Sequence, residues 1–212
     1  MADIRYDIYL VGVGGQGVLT IGELIAGEAF HRGIPANFYP TKGMAQRGGF
    51  VKAQLRLGRG EVGPDIPEQG ADLVISMERS ESLKAVRFVK PGGSFIVYDH
   101  VWAPTAVVLG KATYPTLEQV RDEIEKAGAS VCCIDPKTIP QHDGRAVPDN
   151  IFILGVAMGR TGLKEILSSS DLAKEIKARW KRSAERNLAA FNAGLTAVIS
   201  GSRPHLAEGA GK

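Results

Sequence analysis

A glycine-rich turn between a strand and a helix is the feature that most constrains this sequence. The stretch DIYLVGVGGQGVLTIGELIAGEA covers Asp7–Ala29, and Gly12, Gly14 and Gly17 within it match the pattern G-x-G-x-x-G. The residues before these glycines have the β-branched and aromatic content of a buried strand. From Val18 onward, apolar residues recur at helical spacing. A strand that turns through glycines into a helix points backbone N–H groups at one place, which predicts a phosphate site.

The remainder of the chain alternates between strand and helix patterns. The run FVKAQLRLG, residues 50–58, alternates apolar and polar residues, and this period of two predicts an antiparallel or edge strand with one face in water. The run TLEQVRDEIEKAGA predicts a helix with Thr116 as its N-cap and Gly128 past its end. The pattern is helical from Asn150 to Ser200, with a long helix from about Asp171.

These patterns together predict an α/β fold. We expect an open, mostly parallel, Rossmann-like sheet with helices on both faces and a helical C-terminal third. Residues 1–200 would form a single domain, since the chain of 212 residues has no linker or repeat that divides it. Residues 201–212 have the composition of a disordered tail.

The place where a dinucleotide fold carries its ribose-binding acid holds no carboxylate here. That fold needs an Asp or Glu about 20 residues after the glycines, and this chain has Asn37, Phe38 and Tyr39 at that place. The charged side chains that follow are Lys42 and Arg47, which suit a phosphate better than a ribose diol. NAD is therefore disfavoured, whereas NADP and coenzyme A stay open.

A second glycine-rich segment, KGMAQRGG, follows a short second predicted strand, ANFY at residues 36–39. Its glycines permit close approach of a ligand, and the Arg47 guanidinium offers a planar fork for phosphate or carboxylate. The alternative is a solvated basic turn. The candidate binding residues of the two segments are Gly12, Gly14, Gly15, Gln16, Gly17, Lys42, Gly43, Met44, Gln46, Arg47, Gly48 and Gly49.

Composition excludes several classes of function. The formal net charge is only +3, without the concentrated basic face of a nucleic-acid-binding protein. No apolar run approaches the roughly 18 residues needed to span a bilayer. The N-terminus lacks the pattern of a signal peptide, so we expect a cytoplasmic protein without a membrane or nucleic-acid partner.

The sequence presents no catalytic residues or metal ligands of its own. Asp99 and His100 follow a predicted strand and could face a ligand, although turn chemistry is the more common role of such a pair. Cys132 and Cys133 are interpreted as sheet residues, because no basic neighbour favours a thiolate. The segment WKRSAERN, residues 180–187, is interpreted as a charged helix face, with a partner surface as the alternative.

The two glycine-rich segments together resemble a known family. GVGGQG at residues 12–17 followed by KGMAQRGG at residues 42–49 resembles the gamma-type module of the 2-oxoacid:ferredoxin oxidoreductase family. The resemblance spans roughly residues 7–194, with looser matches at ADLVISME, DNIFILGVAMG and ERNLAAFNAG. GMAQRGG is its most specific part and favours the branch that acts on arylpyruvates such as indolepyruvate.

The resemblance implies a subunit of an enzyme that oxidatively decarboxylates a 2-oxoacid to an acyl-CoA. Thiamine diphosphate, Mg and [4Fe–4S] clusters are then expected on a larger partner subunit that passes electrons to ferredoxin, in a heterodimer or heterotetramer. Residues 14–17 would approach the phosphates of coenzyme A, while Lys42, Gln46 and Arg47 would hold charge or close over the substrate.

Three alternatives to this interpretation stay open. The first is an NADP-binding oxidoreductase domain with Lys42 and Arg47 on the 2′-phosphate. The second is a subunit that only shapes a complex. The third is a gamma subunit for another 2-oxoacid, such as phenylglyoxylate or pyruvate.

Overall fold

The computed structural model describes residues 4–41 and 49–198. Within these residues, six strands form the main sheet: β1 (Tyr6–Val13), β2 (Ala36–Thr41), β3 (Phe50–Leu57), β4 (Ala71–Ser76), β5 (Val89–Tyr98) and β6 (Ser130–Ile134). Two short strands, β7 (Gln141–His142) and β8 (Arg145–Ala146), pair as a separate hairpin. The α-helices are α1 (Val18–His31), α2 (Arg79–Ala85), α3 (Thr105–Val108), α4 (Leu117–Lys126), α5 (Asp149–Arg160), α6 (Ser169–Arg179) and α7 (Ala184–Thr196).

The sheet is mixed and mostly parallel, as predicted. Its strand order is β2-β3-β1-β4-β5-β6. β1, β4, β5 and β6 run parallel, whereas β3 pairs antiparallel with both β1 and β2. The carboxyl ends of β1, β4, β5 and β6 therefore meet at one edge of the sheet, where open α/β folds place their ligands.

Helices cover both faces of this sheet, which confirms the predicted layers. Successive residues of a strand point to opposite faces, so Ile8 and Leu10 of β1 pack with α1, α5, α6 and α7. Tyr9 and Val11 point the other way and pack with α2 and α4. Both sets of β1 side chains are almost fully buried.

The strand FVKAQLRLG departs from its predicted environment. β3 is antiparallel, as expected, but it lies second from the edge and its polar face is not in water. Gln54 is only 4% exposed, and its side-chain oxygen accepts a hydrogen bond from the Ile66 N–H at 2.7 Å. Arg56 pairs with buried Asp7 at 3.2 Å. The connection between β3 and β4 covers this face, which the local period of two could not reveal.

The helical C-terminal third is confirmed, but the long helix expected from about Asp171 is two helices. α6 ends at Arg179, and Trp180 leaves the helical conformation with φ −119° and ψ 59° before α7 begins. α5 and α7 cross closely through glycines, since a Cβ at Gly155 would lie 2.2 Å from the Phe191 carbonyl oxygen. Across the described ranges, every helix is too short or too polar to cross a membrane.

Candidate functional site

The first glycine-rich segment forms a tight turn from β1 into α1. Gly15 and Gly17 have positive φ values of 98° and 73°, a conformation that residues with a side chain rarely adopt. A Cβ at Gly17 would also lie 2.4 Å from the Nδ2 atom of Asn150, at the start of α5. Gly17 is therefore required both for the turn and for the close approach of α5.

The Gln16 side chain joins the ends of two strands. Its Oε1 atom accepts a hydrogen bond from the Val13 N–H at 2.9 Å, and its Nε2 atom donates to the Met77 carbonyl at 2.6 Å. Sequence reasoning missed this structural role. The predicted contact between Gln16 and a ligand stays a prediction, and Gly15 and Gly17 lie beside it on the open side of the turn.

Gly49, the last residue of the second glycine-rich segment, lies against the first segment at the carboxyl end of β1. The Gly14 N–H donates a hydrogen bond to the Gly49 carbonyl at 2.8 Å, next to the pairing of Val13 with Phe50. The predicted residues Lys42, Gly43, Met44, Gln46, Arg47 and Gly48 lie outside the described residues. The end of the second segment is therefore fixed directly beside the first.

A cleft of about 470 Å³ opens beside this turn. We call it the glycine-loop cleft. Its walls come from the glycine turn, from the start of α5 and from the end of α6 to the first turns of α7. The lining residues are Gly15, Gln16, Gly17, Thr20, Pro148, Asp149, Asn150, Ile151, Trp180, Ser183 and Asn187.

Three helices point their N-termini at the glycine-loop cleft. The residues before α1, α5 and α7 are Gly17, Pro148 and Ser183, and none of them caps its helix with a side-chain hydrogen bond. By contrast, α2, α4 and α6 are capped by side chains. The first N–H groups of a helix lack internal partners and carry partial positive charge. These helix ends favour an anion in the cleft, against the single carboxylate of its lining, Asp149.

A buried carboxylate lies just after the neighbouring strand β4, at the start of α2. Glu78 is 0% exposed, and its carboxylate accepts hydrogen bonds from Ser80 Oγ at 2.7 Å, the Glu81 N–H at 2.9 Å and the Trp102 N–H at 3.1 Å. The Tyr114 hydroxyl also donates to it. We call these groups the Glu78 shell. Sequence reasoning missed this residue, although a carboxylate directly after the apolar strand ADLVISM was the available signal.

The pair Asp99 and His100 is placed mainly by structural contacts. Asp99 accepts a hydrogen bond from the Arg79 guanidinium at 2.9 Å, and the His100 ring lies 6.0 Å from the Tyr98 ring in a stacked arrangement.

The Tyr98 hydroxyl donates to Asp149 at 2.6 Å. Burial, followed by this hydrogen bond, raises the pKa of Tyr98. The Asp149 carboxylate at the cleft wall therefore accepts a hydrogen bond from a hydroxyl that stays protonated.

The adjacent cysteines lie on β6 as free, partly buried thiols. Burial raises the pKa of the Cys132 thiol to about 11 and that of Cys133 to about 12. Both stay protonated at neutral pH, which agrees with their interpretation as sheet residues.

Solved structures share this fold. The pyruvate oxidoreductase subunit PORC from Thermotoga maritima aligns with a TM-score of 0.68 at 21% identity, over 94% of this chain and 99% of that one. The 2-oxoglutarate:ferredoxin oxidoreductase from Magnetococcus marinus, solved with 2-oxoglutarate, coenzyme A and succinyl-CoA bound, aligns with a TM-score of 0.58 at 17% identity. It covers 90% of this chain and 30% of that longer one.

Sequence comparison identifies relatives that match over nearly their whole length. The indolepyruvate oxidoreductase subunit IorB of Archaeoglobus fulgidus is 32% identical over 93% of this chain and 98% of its own. The subunit of the same name from Thermococcus kodakarensis is 30% identical over 92% and 96%. The family model described as pyruvate ferredoxin/flavodoxin oxidoreductase matches residues 7–197. The predicted resemblance is thus confirmed: this chain is an oxidoreductase subunit that belongs to the pyruvate ferredoxin/flavodoxin oxidoreductase family.

Proposed function

We propose that this chain is the small subunit of an indolepyruvate, or related arylpyruvate, ferredoxin oxidoreductase. The complete enzyme would convert the 2-oxoacid, coenzyme A and oxidised ferredoxin into arylacetyl-CoA, carbon dioxide and reduced ferredoxin. The names of the relatives that match over their whole length support this choice of substrate. This chain would bind part of coenzyme A and help to close the active site.

The convergence of three uncapped helix N-termini carries the proposal. The phosphates of coenzyme A are anions, and the first turns of α1, α5 and α7 offer N–H donors without side-chain caps around one cleft. The glycine turn lets a phosphate approach the backbone because Gly15 and Gly17 present no Cβ there. The Gly14–Gly49 hydrogen bond holds Gly49, the last residue of the second segment, beside this turn, which supports the proposal that Lys42 and Arg47 are further phosphate ligands.

The contribution of this chain to the reaction would be binding and positioning. Holding the carrier by its phosphates fixes its thiol relative to the reacting carbon, and such fixation lowers the entropic part of the barrier. Thiamine diphosphate with Mg and the [4Fe–4S] clusters, assigned here to the larger partner subunit, would supply decarboxylation and electron transfer. Among the described residues no group of three His, Cys, Asp or Glu side chains could hold a metal ion.

The arrangement of the sheet weighs against the NADP alternative. In a dinucleotide-binding fold, the strand that carries the ribose-binding residue lies parallel and next to β1. Here the antiparallel strand β3 occupies that place, and β2 lies beyond it. Asn37 of β2 donates its side-chain N–H to the Gly60 carbonyl at 2.8 Å, so it is held in a structural contact.

The test is to purify this chain with its partner subunit and assay a panel of 2-oxoacids. We expect coenzyme A-dependent oxidation of indolepyruvate to exceed that of phenylglyoxylate, pyruvate and 2-oxoglutarate. A clear preference for one of the other acids would overturn the substrate assignment. Oxidation by this chain alone would overturn its role as a subunit without the reaction centre.

The role in binding coenzyme A is tested separately by substitution. Arg47→Ala should raise the Michaelis constant for coenzyme A without changing that for the 2-oxoacid. Arg87→Ala is the matched control, because its ion pair with Glu68 joins two well-exposed side chains and such pairs contribute little. An unchanged constant for coenzyme A in Arg47→Ala would count against the assignment. Tighter binding of NADPH than of coenzyme A would favour the alternative.

A further inference from the structure

A second and larger concave surface adjoins the glycine-loop cleft. It has a volume of about 850 Å³ and lies between the β7–β8 hairpin and the α6–α7 connection. We call it the basic groove. Five cationic side chains line it against two carboxylates, Asp143 and Glu185. The cations are Arg145, Lys177, Lys181, Arg182 and Arg186.

Most of these cations lack acidic partners within the part of the chain that the structure describes. Arg145, Lys177, Lys181 and Arg182 are exposed and form no ion pair with any described carboxylate. The Arg186 guanidinium donates to the Ala146 carbonyl at 3.0 Å, which leaves its charge uncompensated. Like charges that line one groove repel one another, and an anion bound between them relieves this repulsion. The groove is therefore a site of unbalanced positive charge.

The two concave surfaces are adjacent. Ser183 lines both of them. Trp180, which directly precedes Lys181 and Arg182, forms a wall of the glycine-loop cleft. The Arg179 guanidinium lies over the Trp180 ring, with its Cζ atom 5.2 Å from the ring centroid. A ligand with one anionic group at the glycine turn and a second anionic group nearby could therefore occupy both surfaces, with an aromatic ring along its path.

We propose that the basic groove binds the ribose 3′-phosphate at the nucleotide end of coenzyme A, while the glycine-loop cleft binds its pyrophosphate. This inference rests on the proposed function and adds to it the part of the ligand that each surface recognises. The charges of Lys181 and Arg182 would discriminate coenzyme A from its 3′-dephospho analogue.

The test compares the binding of coenzyme A and 3′-dephospho-coenzyme A to the complex of this chain with its partner subunit. We expect the wild-type complex to bind coenzyme A at least about tenfold more tightly, which corresponds to about 1.4 kcal/mol, because the 3′-phosphate adds charge-assisted hydrogen bonds. The double variant K181A/R182A should lose that preference and bind both ligands as the wild type binds the dephospho form. Both side chains are exposed, so the variant should keep its fold.

The matched control is R121A/K126A, which removes two positive charges from α4 on the opposite face of the sheet. It should keep the wild-type preference, since both side chains form exposed ion pairs away from the groove. If the wild-type complex binds both ligands equally, or if K181A/R182A weakens both equally, the groove does not hold the 3′-phosphate. If the wild-type complex binds neither ligand, the proposed function itself fails. If only association with an acidic partner protein is lost, the groove is a protein interface and the inference is overturned.

Discussion

Two regions at the same edge of the sheet use their polar groups in opposite ways. The glycine-loop cleft follows β1 and the Glu78 shell follows β4, and these strands are parallel neighbours in which Val11 pairs with Ser76. In the Glu78 shell one buried carboxylate accepts the hydrogen bonds of four surrounding donors. At the glycine-loop cleft the adjoining helices begin without side-chain caps.

This contrast separates a structural centre from a binding site. A buried polar group that has all its partners stabilises the fold and has no capacity left for a ligand. Helix N-termini without caps leave their donors to water or to an anion. We therefore expect substitutions in the Glu78 shell to change stability without affecting binding. We expect substitutions at the glycine turn to change binding beyond their effect on stability.

The largest effect is expected from Glu78→Ala. This change leaves buried donors, among them the Glu81 and Trp102 N–H groups, without an acceptor. We expect the free energy of unfolding, measured by urea denaturation, to fall by about 4 kcal/mol. Glu118→Ala is the control, because this exposed residue lies in the first turn of α4 and should change stability by less than about 0.5 kcal/mol. A loss below about 1 kcal/mol in Glu78→Ala, or weaker binding of coenzyme A by the folded variant, would contradict the division between the two regions.

A smaller loss of stability, together with a loss of binding, is expected from Gly17→Ala. The left-handed conformation costs an alanine about 1–2 kcal/mol, and the new methyl group must displace Asn150 at the cleft. We expect the affinity for coenzyme A, measured by calorimetry on the complex, to fall about tenfold or more, as loss of a charge-assisted contact would.

Gly33→Ala is the matched control for that variant. Gly33 has nearly the same conformation, with φ 69°, but a Cβ there would meet nothing within 4 Å. Gly33→Ala should lose only the stability that the left-handed conformation costs an alanine, and it should leave the affinity for coenzyme A unchanged. Equal affinity in the two variants would show that the glycine turn does not contact the ligand.

The smallest effect is expected at high pH, where the Tyr114 hydroxyl of the Glu78 shell loses its proton. Burial, followed by the hydrogen bond to Glu78, raises the pKa of Tyr114 from 10.0 to about 12. A pKa that is higher in the folded state favours the neutral form there. Tyr114 therefore stabilises the fold fully below pH 10, and this contribution disappears as the pH rises through 12.

The measurement is the free energy of unfolding at pH 8 and at pH 11 for the wild type and for Tyr114→Phe. The wild type should lose more stability than the variant between these two values, because the variant has no hydroxyl to ionise. At pH 8 the variant should be less stable by about 1 kcal/mol, the contribution of a typical hydrogen bond. An equal loss of stability in both proteins would exclude ionisation of Tyr114 as a cause.

The elements with strong local signals were predicted from the sequence. The glycine turn into α1 follows from its spacing of glycines and apolar residues, and the helix predicted after Thr116 has both bonds of a capping box. Gly128 follows this helix with a φ of 79°. These features depend on residues within one or two turns of each other, so a local pattern is enough to specify them.

The predictions that were wrong or missing concern features that depend on residues far apart in the chain. The alternation of β3 predicted a polar face in water, but the connection between β3 and β4 covers Gln54. The expected long helix breaks at Trp180. Glu78 was missed because two of its partners, Trp102 and Tyr114, come from a segment more than 20 residues along the chain. Local periodicity contains no information about which segment will cover a given face.

The sequence by itself therefore determined the α/β fold, the glycine turn and the family, because each follows from the spacing of residues that are close together along the chain. Only the tertiary structure decided that the N-termini of α5 and α7 lie at the glycine turn. It also decided that the cations of the basic groove lie next to this turn. The physical reason is that a helix presents free donors and its dipole only at its ends. Packing through Gly17 and Gly155 decides where those ends meet.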